Sequence, residues 1–335
     1  MRVTVLGAGT WGTAFSNVLS DAGNEVTLWA RRPELARGIE RDRCNRDYLP
    51  DLPVADNVRA TADAAAALAG AELVAIAVPA QSLREHLGDW APLIPSRAVV
   101  LSLMKGIELG TTKRMSELIV DVGRVDAQRV AVLSGPNLAK EIAQRQPSAT
   151  VIGCPDLEVA QRIQRAIATP YFRPYTNDDI IGSELGGAVK NVIALAVGIA
   201  DGIGLGDNAK ASLITRGLSE TTRLGVTLGA DPMTFAGLAG LGDLVATCSS
   251  PLSRNRTVGE QLARGRSMSD IASEMRTVAE GVQSSQAILD LARAHDVDMP
   301  ITQHVVAVVH HGASPLDTVR QLMGRETKPE MHGLQ

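Results

Sequence analysis

Apolar and polar positions fall into two regimes along this chain. Up to residue 178, short apolar runs alternate with helical spacing, and beyond it only helical spacing remains. The first run, Val3-Thr4-Val5-Leu6, leads straight into glycines, after which Phe15, Val18, Leu19 and Ala22 recur on one side of a helix. Glu25 to Ala30 reads as a second strand. Glu72 to Val78, Ala98 to Leu103 and Val130 to Leu133 are near-continuous apolar runs, as strands covered on both faces require. Pro79 closes the first of these, and Gln81-Ser82 opens a helix. Ser148 to Ile152 and Tyr171 to Thr176 extend the sheet. Between the second and third strands, residues 42–56 read as a polar, Pro-containing loop and Thr61 to Leu68 as an Ala-rich helix. After Asn177-Asp178-Asp179, helices are predicted over 179–200, 208–228, 254–265, 280–295 and 302–311.

The glycines after the first strand are spaced G-x-G-x-x-G, as Gly7, Gly9 and Gly12. Gly7 permits a tight turn, Gly9 lets backbone approach a pyrophosphate, and Gly12 lets the helix pack close to the strand. Free N–H groups and the positive end of the helix dipole then face the phosphates. Strand, helix and second strand occur in order, so the expectation is dinucleotide binding. The fold class is α/β: a Rossmann-type dinucleotide-binding domain over 1–178, then an all-α domain over 179–323 and a mobile tail over 324–335. At the end of the second strand, where NAD sites offer an acid to the ribose 2′-hydroxyl, stand Arg31-Arg32. They suit a 2′-phosphate; the other reading is a solvated charge pair before the helix that Pro33 begins. The loops following the later strands, Met104-Lys105-Gly106 and Ser134-Gly135-Pro136-Asn137, should border one cleft, because ligands of open sheets sit outside the carboxyl ends.

Composition narrows the picture further. A chain of 335 residues suits two domains. A formal charge of -4 implies no basic surface, so nucleic acid is not an expected partner. The N-terminal run is too interrupted by glycine for a signal peptide, and no uninterrupted apolar stretch is expected to span a membrane. Cys44, Cys154 and Cys248 are odd in number and lack C-x-x-C spacing, so they read as reduced cytosolic thiols. The six histidines have no ligand spacing, and no metal is expected.

Several residues could do chemistry. Lys190 lies in an apolar helix, among Val189, Val192 and Ile193, and must either snorkel to solvent or face a polar cavity. In a cavity, burial and repulsion from Lys105 would lower its pKa and suit it to proton transfer, with Asp243 opposing the shift. Gly186-Gly187, one turn earlier, would let a backbone or ligand come close. Gly237 to Gly242 looks like a glycine-rich turn presenting Asp243, with a flexible connection as the alternative. Ser253-Arg254-Asn255 before a helix suits a phosphate dianion, or is a plain Ser cap with an exposed Arg. Cys248 reads as a small buried filler, since no adjacent His would activate it.

Together the stretches GAGTWGTA (7–14), Met104-Lys105-Gly106, Ser134-Gly135-Pro136, Lys190-Asn191, Gly240 to Leu244, Ser253 to Arg256 and Val278 to Gly281 resemble the bacterial NAD(P)-dependent glycerol-3-phosphate dehydrogenases. The resemblance implies reduction of dihydroxyacetone phosphate to sn-glycerol 3-phosphate with NADPH or NADH, in the cytoplasm, for phospholipid synthesis. It leaves a homodimer open as the assembly. It implies that Thr10, Trp11, Arg31, Arg32, Lys105, Ala139, Arg254, Val278 and Glu280 contact the dinucleotide. Lys105, Gly135, Asn137, Lys190, Asp243, Thr247, Ser253, Arg254 and Asn255 lie along the substrate. Lys190 takes the family's acid/base role, with Asn191, Asp243, Lys105 and Thr247 around it. Asn137 departs from the Ser or Thr of many relatives, which turns a hydroxyl contact into an amide contact or removes it. Two other readings share the fold: a reductase of an unphosphorylated hydroxy acid, which needs no Ser253-Arg254-Asn255 cradle, and a dinucleotide sensor, which needs neither Lys190 nor Asp243.

Overall fold

The computed structural model describes residues 1–275, 279–327 and 329–330. The chain divides into two compact units, one of Met1–Met104 with Arg114–Ser183, the other of Lys105–Lys113 with Glu184–Gln335. An α/β unit followed by a helical one is the expected class. The segment 105–113, which follows a strand of the first unit, belongs with the helices of the second.

The first unit is built on β1 (Arg2–Leu6), β2 (Glu25–Trp29), β3 (Cys44–Asn45), β4 (Leu49–Pro53), β5 (Val58–Thr61), β6 (Leu73–Ile76), β7 (Val99–Ser102), β8 (Val130–Ser134), β9 (Ser148–Gly153) and β10 (Phe172–Asn177). Among the described residues the main sheet runs β10-β9-β8-β7-β6-β1-β2-β5. Its neighbours are parallel except β8 and β9, which pair antiparallel. The apolar runs have a direct cause in this sheet. Along β6, Leu73 and Ala75 enter the core on one face while Val74 and Ile76 enter the core on the other. Successive side chains of a strand point to opposite faces, so a strand covered twice has no polar position. The chain builds outward from β1 through β2 and β5, then returns to the other side of β1 as β6. That reversal opens a crevice at the carboxyl ends, and Gly7 to Gly12 follows β1 into it.

Two expectations in this unit are corrected. Residues 42–56 are no plain loop, because β3 and β4 form an antiparallel hairpin within them. Its anchor is polar: the buried Asn45 donates from Nδ2 to the Ala8 carbonyl (2.9 Å) and to Thr13 Oγ1 (2.8 Å), while its Oδ1 accepts from Tyr48 N (3.3 Å). A hairpin anchored mainly by polar side chains leaves little apolar alternation to read. Nor does the Ala-rich helix start at Thr61, which pairs in β5 with Trp29. It covers Ala64–Leu68, capped by Asp63, whose carboxylate accepts from Ala66 N at 3.1 Å.

In the second unit the helices Asp207–Thr227, Asp243–Ser249, Arg254–Ala263, Glu280–Ala294 and Pro300–His311 accompany Ile180–Gly202. This last helix is long and apolar enough by composition to cross a membrane, but Glu184, Lys190 and Asp201 interrupt it and 89% of its apolar window is buried inside the protein, as in a core helix. Leu185, Val189, Val192 and Ile193 are fully buried. Glycines bring it against Arg254–Ala263, since a Cβ at Gly198 would collide with the Arg256 carbonyl and one at Gly259 with that of Leu195. Arg256 then grips Asp201 from Nε (3.0 Å) and Nη2 (2.5 Å). Of the segment from Gly324 onward, Arg325 donates to Asp298 (2.7 Å) and the Glu330 carbonyl accepts from Arg216 (2.9 Å); Lys328 and Met331–Gln335 lie outside the described residues.

Glu220, 2% exposed, caps the start of Pro300–His311, accepting from Ile301 N (2.7 Å) and Thr302 N (3.3 Å). Burial outweighs these bonds and raises its carboxyl to about 7, with the Arg223 charge opposing. The folded state therefore holds this proton above the pH at which the unfolded chain releases it, and stability falls as pH rises from about 4.5 to about 7, by up to about 3 kcal/mol. Glu220→Gln keeps the acceptor and removes the titration, so unfolding by urea across that range should show a flatter stability profile for the variant than for the parent.

Candidate functional site

Lys190 resolves its two readings in favour of a polar surrounding. Its side chain is 9% exposed, and Nζ donates to Asp243 Oδ1 (2.6 Å) and Thr247 Oγ1 (2.6 Å). Asp243 and Thr247 stand four residues apart on one helix and share a face. The other carboxylate oxygen of Asp243 accepts from Lys105 Nζ at 2.5 Å. A carboxylate 1% exposed is thus bracketed by two ammonium groups, all within the second unit. Burial lowers the Lys105 ammonium to about 8, the Asp243 charge opposes this and the Lys190 charge adds to it. With all three ionised the cluster carries one excess positive charge, poorly screened, which favours negative charge developing beside it.

The segment before Asp243 is the expected glycine-rich turn and not a flexible connection. Leu238–Gly242 is a π-helical turn running directly into the Asp243–Ser249 helix. Gly186 allows this: a Cβ there would collide with the Ala239 carbonyl, so only glycine lets the Lys190 helix and the turn meet. π-Helical turns widen the backbone locally, and here the widening delivers Asp243 to Lys190. Cys248 is buried, and burial raises its thiol to about 12, which fits a filler and not a nucleophile.

Beside Lys190, Asn191 Oδ1 accepts from Asn255 Nδ2 (2.9 Å), and Asn255 Oδ1 accepts from Gly281 N (3.0 Å). The starts of Arg254–Ala263 and Glu280–Ala294 are thereby tied to the Lys190 helix. Ser253 caps the first of them, accepting from Arg256 N at 3.3 Å. Arg254 is exposed, with Glu280 the charge that acts on it. Val278 lies outside the described residues.

In the first unit the glycine turn has the geometry its spacing predicts. Gly7 has φ +122°, and a Cβ there would press on the Ala77 carbonyl. At Gly12 a Cβ would collide with the Gly7 carbonyl. At Gly9 it would meet nothing within 4 Å, so the space is open to a ligand. Gly9 caps the Thr10–Asp21 helix with no side-chain bond, leaving first-turn N–H groups for an anion. Thr10 Oγ1 donates to the Tyr48 carbonyl (3.2 Å), and Trp11 packs on Phe15. Arg31 is exposed and has no ion-pair partner among the described residues, whereas Arg32 is paired with Asp47. After β8, Gly135 has φ +119°, and Asn137 Nδ2 donates to Thr150 Oγ1 (3.1 Å) ahead of the short helix Ala139–Ala143.

The family models for the N-terminus and the C-terminus of NAD-dependent glycerol-3-phosphate dehydrogenase match residues 2–160 and 179–320. The chain belongs to this family. It is 61% identical over 330 residues to glycerol-3-phosphate dehydrogenase [NAD(P)+] of Streptomyces coelicolor, covering 98% of each chain. The enzyme of that name from Thermobifida fusca is 58% identical over 334 residues, covering 99% of each. The crystal structure of glycerol-3-phosphate dehydrogenase from Coxiella burnetii superposes with a TM-score of 0.92 at 36% identity, covering 97% of this chain and 99% of that one. An NAD(P) cofactor fits the first unit on its own evidence, namely the open Gly9 position, the uncapped helix start and the uncommitted Arg31.

Asn45 and Asp47 escaped the sequence reading because the hairpin that carries them did. The signal available was Asn45-Arg46-Asp47, a polar turn between Cys44 and Leu49. Thr247 entered by resemblance alone, although its spacing of four from Asp243 on a helix would have found it. The glycine geometry makes a paired prediction. Gly9→Val should keep the parental thermal midpoint within a few degrees and lose dinucleotide affinity in calorimetric titration. Gly12→Val should fail to give a folded protein by circular dichroism.

Proposed function

We propose that this chain reduces dihydroxyacetone phosphate to sn-glycerol 3-phosphate with NADPH or NADH, and runs the reverse oxidation. The observation that carries the reading is the Lys190 ammonium. Of its three N–H donors, Asp243 and Thr247 take two, so one remains for a carbonyl oxygen. Bound NADPH or NADH supplies the hydride to the ketone carbon. As the C=O bond breaks to C–O, negative charge develops on that oxygen, where the Lys190 ammonium stabilises it and gives up the proton that makes the alcohol. Asp243 holds the amine through this change, and Thr247 keeps its orientation. In oxidation the neutral amine takes the hydroxyl proton back. Lys105 adds a second positive charge across the same carboxylate.

We assign the substrate phosphate to Arg254 and the helix start behind it, where a guanidinium and free N–H groups suit a dianion. Phosphate held away from the reacting carbon contributes binding energy to the chemical step. This separates the reading from a reductase of unphosphorylated ketones, and the Lys190–Asp243–Thr247 triad separates it from a dinucleotide sensor. Three free thiols and a near-neutral charge favour a reducing, soluble compartment, so we place the reaction in the cytoplasm, ahead of glycerophospholipid synthesis.

Lys190→Met keeps length and apolar bulk but deletes the proton and the charge. It should lower turnover on dihydroxyacetone phosphate on the order of a hundred- to ten-thousand-fold while binding NADPH as the parent does; retention of more than roughly a tenth of parental turnover would assign the proton to another group. The pH profile checks the neighbouring charge. Lys105 loses its proton near pH 8, so reduction should decline as pH rises through that value, and the decline should be missing from the profile of Lys105→Met, whose turnover is lower throughout.

A further inference from the structure

Arg31 and Arg32 are adjacent in sequence and differ in state. Arg31 has no ion-pair partner among the described residues, while the Arg32 guanidinium is held by the Asp47 carboxylate through Nη2, with Glu34 a looser second acid at 4.0 Å. Of the other charges on this stretch, Arg41 and Arg46 both pair with Asp42, at 2.7 and 3.0 Å. Asp47 does not reach Arg32 by chance of a mobile loop. It sits in the turn of the β3–β4 hairpin, and that turn is bound to the glycine turn itself. Asn45, fully buried, donates to the Ala8 carbonyl and to Thr13 and accepts from Tyr48 N; the Tyr48 carbonyl accepts from Thr10. Asp47 therefore lies between Asn45 and Tyr48, both of which are bonded to the glycine turn or the helix it starts.

We propose that Asp47 sets the cofactor preference, by occupying the guanidinium of Arg32 that a 2′-phosphate would otherwise bind. The inference rests on NADPH and NADH being the cofactors of the proposed reaction. A 2′-phosphate must first draw the Arg32 guanidinium from Asp47, and that exchange opposes NADPH. A 2′-hydroxyl has no charge to exchange and takes the site as it stands. Arg31, uncommitted, provides a basal contact for either cofactor, and the balance between them is tuned by an acid on a neighbouring element instead of by an acid at the end of β2. Both side chains are roughly two-fifths exposed, so the pair is of the modest kind. The effect is then a shift of preference and not a switch.

The test is calorimetric titration of the complete chain with NADPH and with NADH, parent against Asp47→Asn. The amide keeps the size of the side chain and releases the guanidinium. The ratio of the NADPH to the NADH dissociation constant should fall about two- to fivefold. An unchanged or increased ratio overturns the proposal. Arg32→Ala and the Arg32→Ala/Asp47→Asn double variant complete a cycle. If Asp47 acts by occupying Arg32, its replacement should barely move the ratio once Arg32 is gone. An equal shift in both backgrounds would mean that Asp47 acts on the phosphate directly, and would also overturn the proposal. Because the readout is binding, failure of the reaction assignment would appear separately, as absence of turnover on dihydroxyacetone phosphate by the parent.

Discussion

The second unit depends on one buried carboxylate. Asp243 accepts from Lys105 and Lys190 at once, and each partner is itself largely removed from water. Three charges so placed are tolerable only together. Breaking a buried pair by removing one partner commonly costs about 3–5 kcal/mol, because the remaining charge is left uncompensated. That requirement dictates the local architecture. The Lys190 helix must approach the turn before Asp243 more closely than side chains permit, hence Gly186 against Ala239. The turn must aim Asp243 and Thr247 at one nitrogen, hence the π-helical widening followed by a regular helix. In the proposed reaction, this cluster with its excess positive charge is where charge on the ketone oxygen would develop.

Polar anchoring of this kind recurs at the other elements that matter. Asn255 and Asn191 tie two helix starts to the Lys190 helix through amide bonds, and Asn45 ties the β3–β4 hairpin to the glycine turn. Each is a buried amide with both ends satisfied. Such bonds add only about 1 kcal/mol net, but leaving one unmade inside the protein costs more, so they specify position more than they add stability. Apolar packing supplies the bulk of the folding energy in both units, and the amides determine where the chemical groups end up.

The sheet was largely legible in the chain. Runs such as Leu73 to Ile76 alternate between two cores, so their sequence has no polar face and announces a doubly covered strand. The G-x-G-x-x-G turn was equally legible, because a positive φ at Gly7 and a forbidden Cβ at Gly12 leave glycine as the residue that fits. The hairpin within 42–56 was hidden, since polar contacts such as those of Asn45 and Asn17 anchor it and no apolar alternation marks it. The glycine-rich stretch 237–242 was legible as a turn presenting Asp243 but not as a π-turn, since composition does not record that its glycines serve close packing.

The sequence by itself determined the class of fold, the family and the residue types available for chemistry, because periodicity and glycine spacing are local properties of the chain. Its local pattern placed Lys190 in an apolar helix with snorkelling and a polar cavity equally open, and the family resemblance grouped Asp243, Lys105 and Thr247 with it without giving their contacts. Only the tertiary structure decided that Lys190 meets Asp243 and Thr247, that Lys105 shares the same carboxylate, and that Arg32 is engaged by Asp47 while Arg31 is not. These are contacts between residues distant in the chain. Their geometry is set by how helices and strands pack, and no local pattern records which two charges that packing brings together.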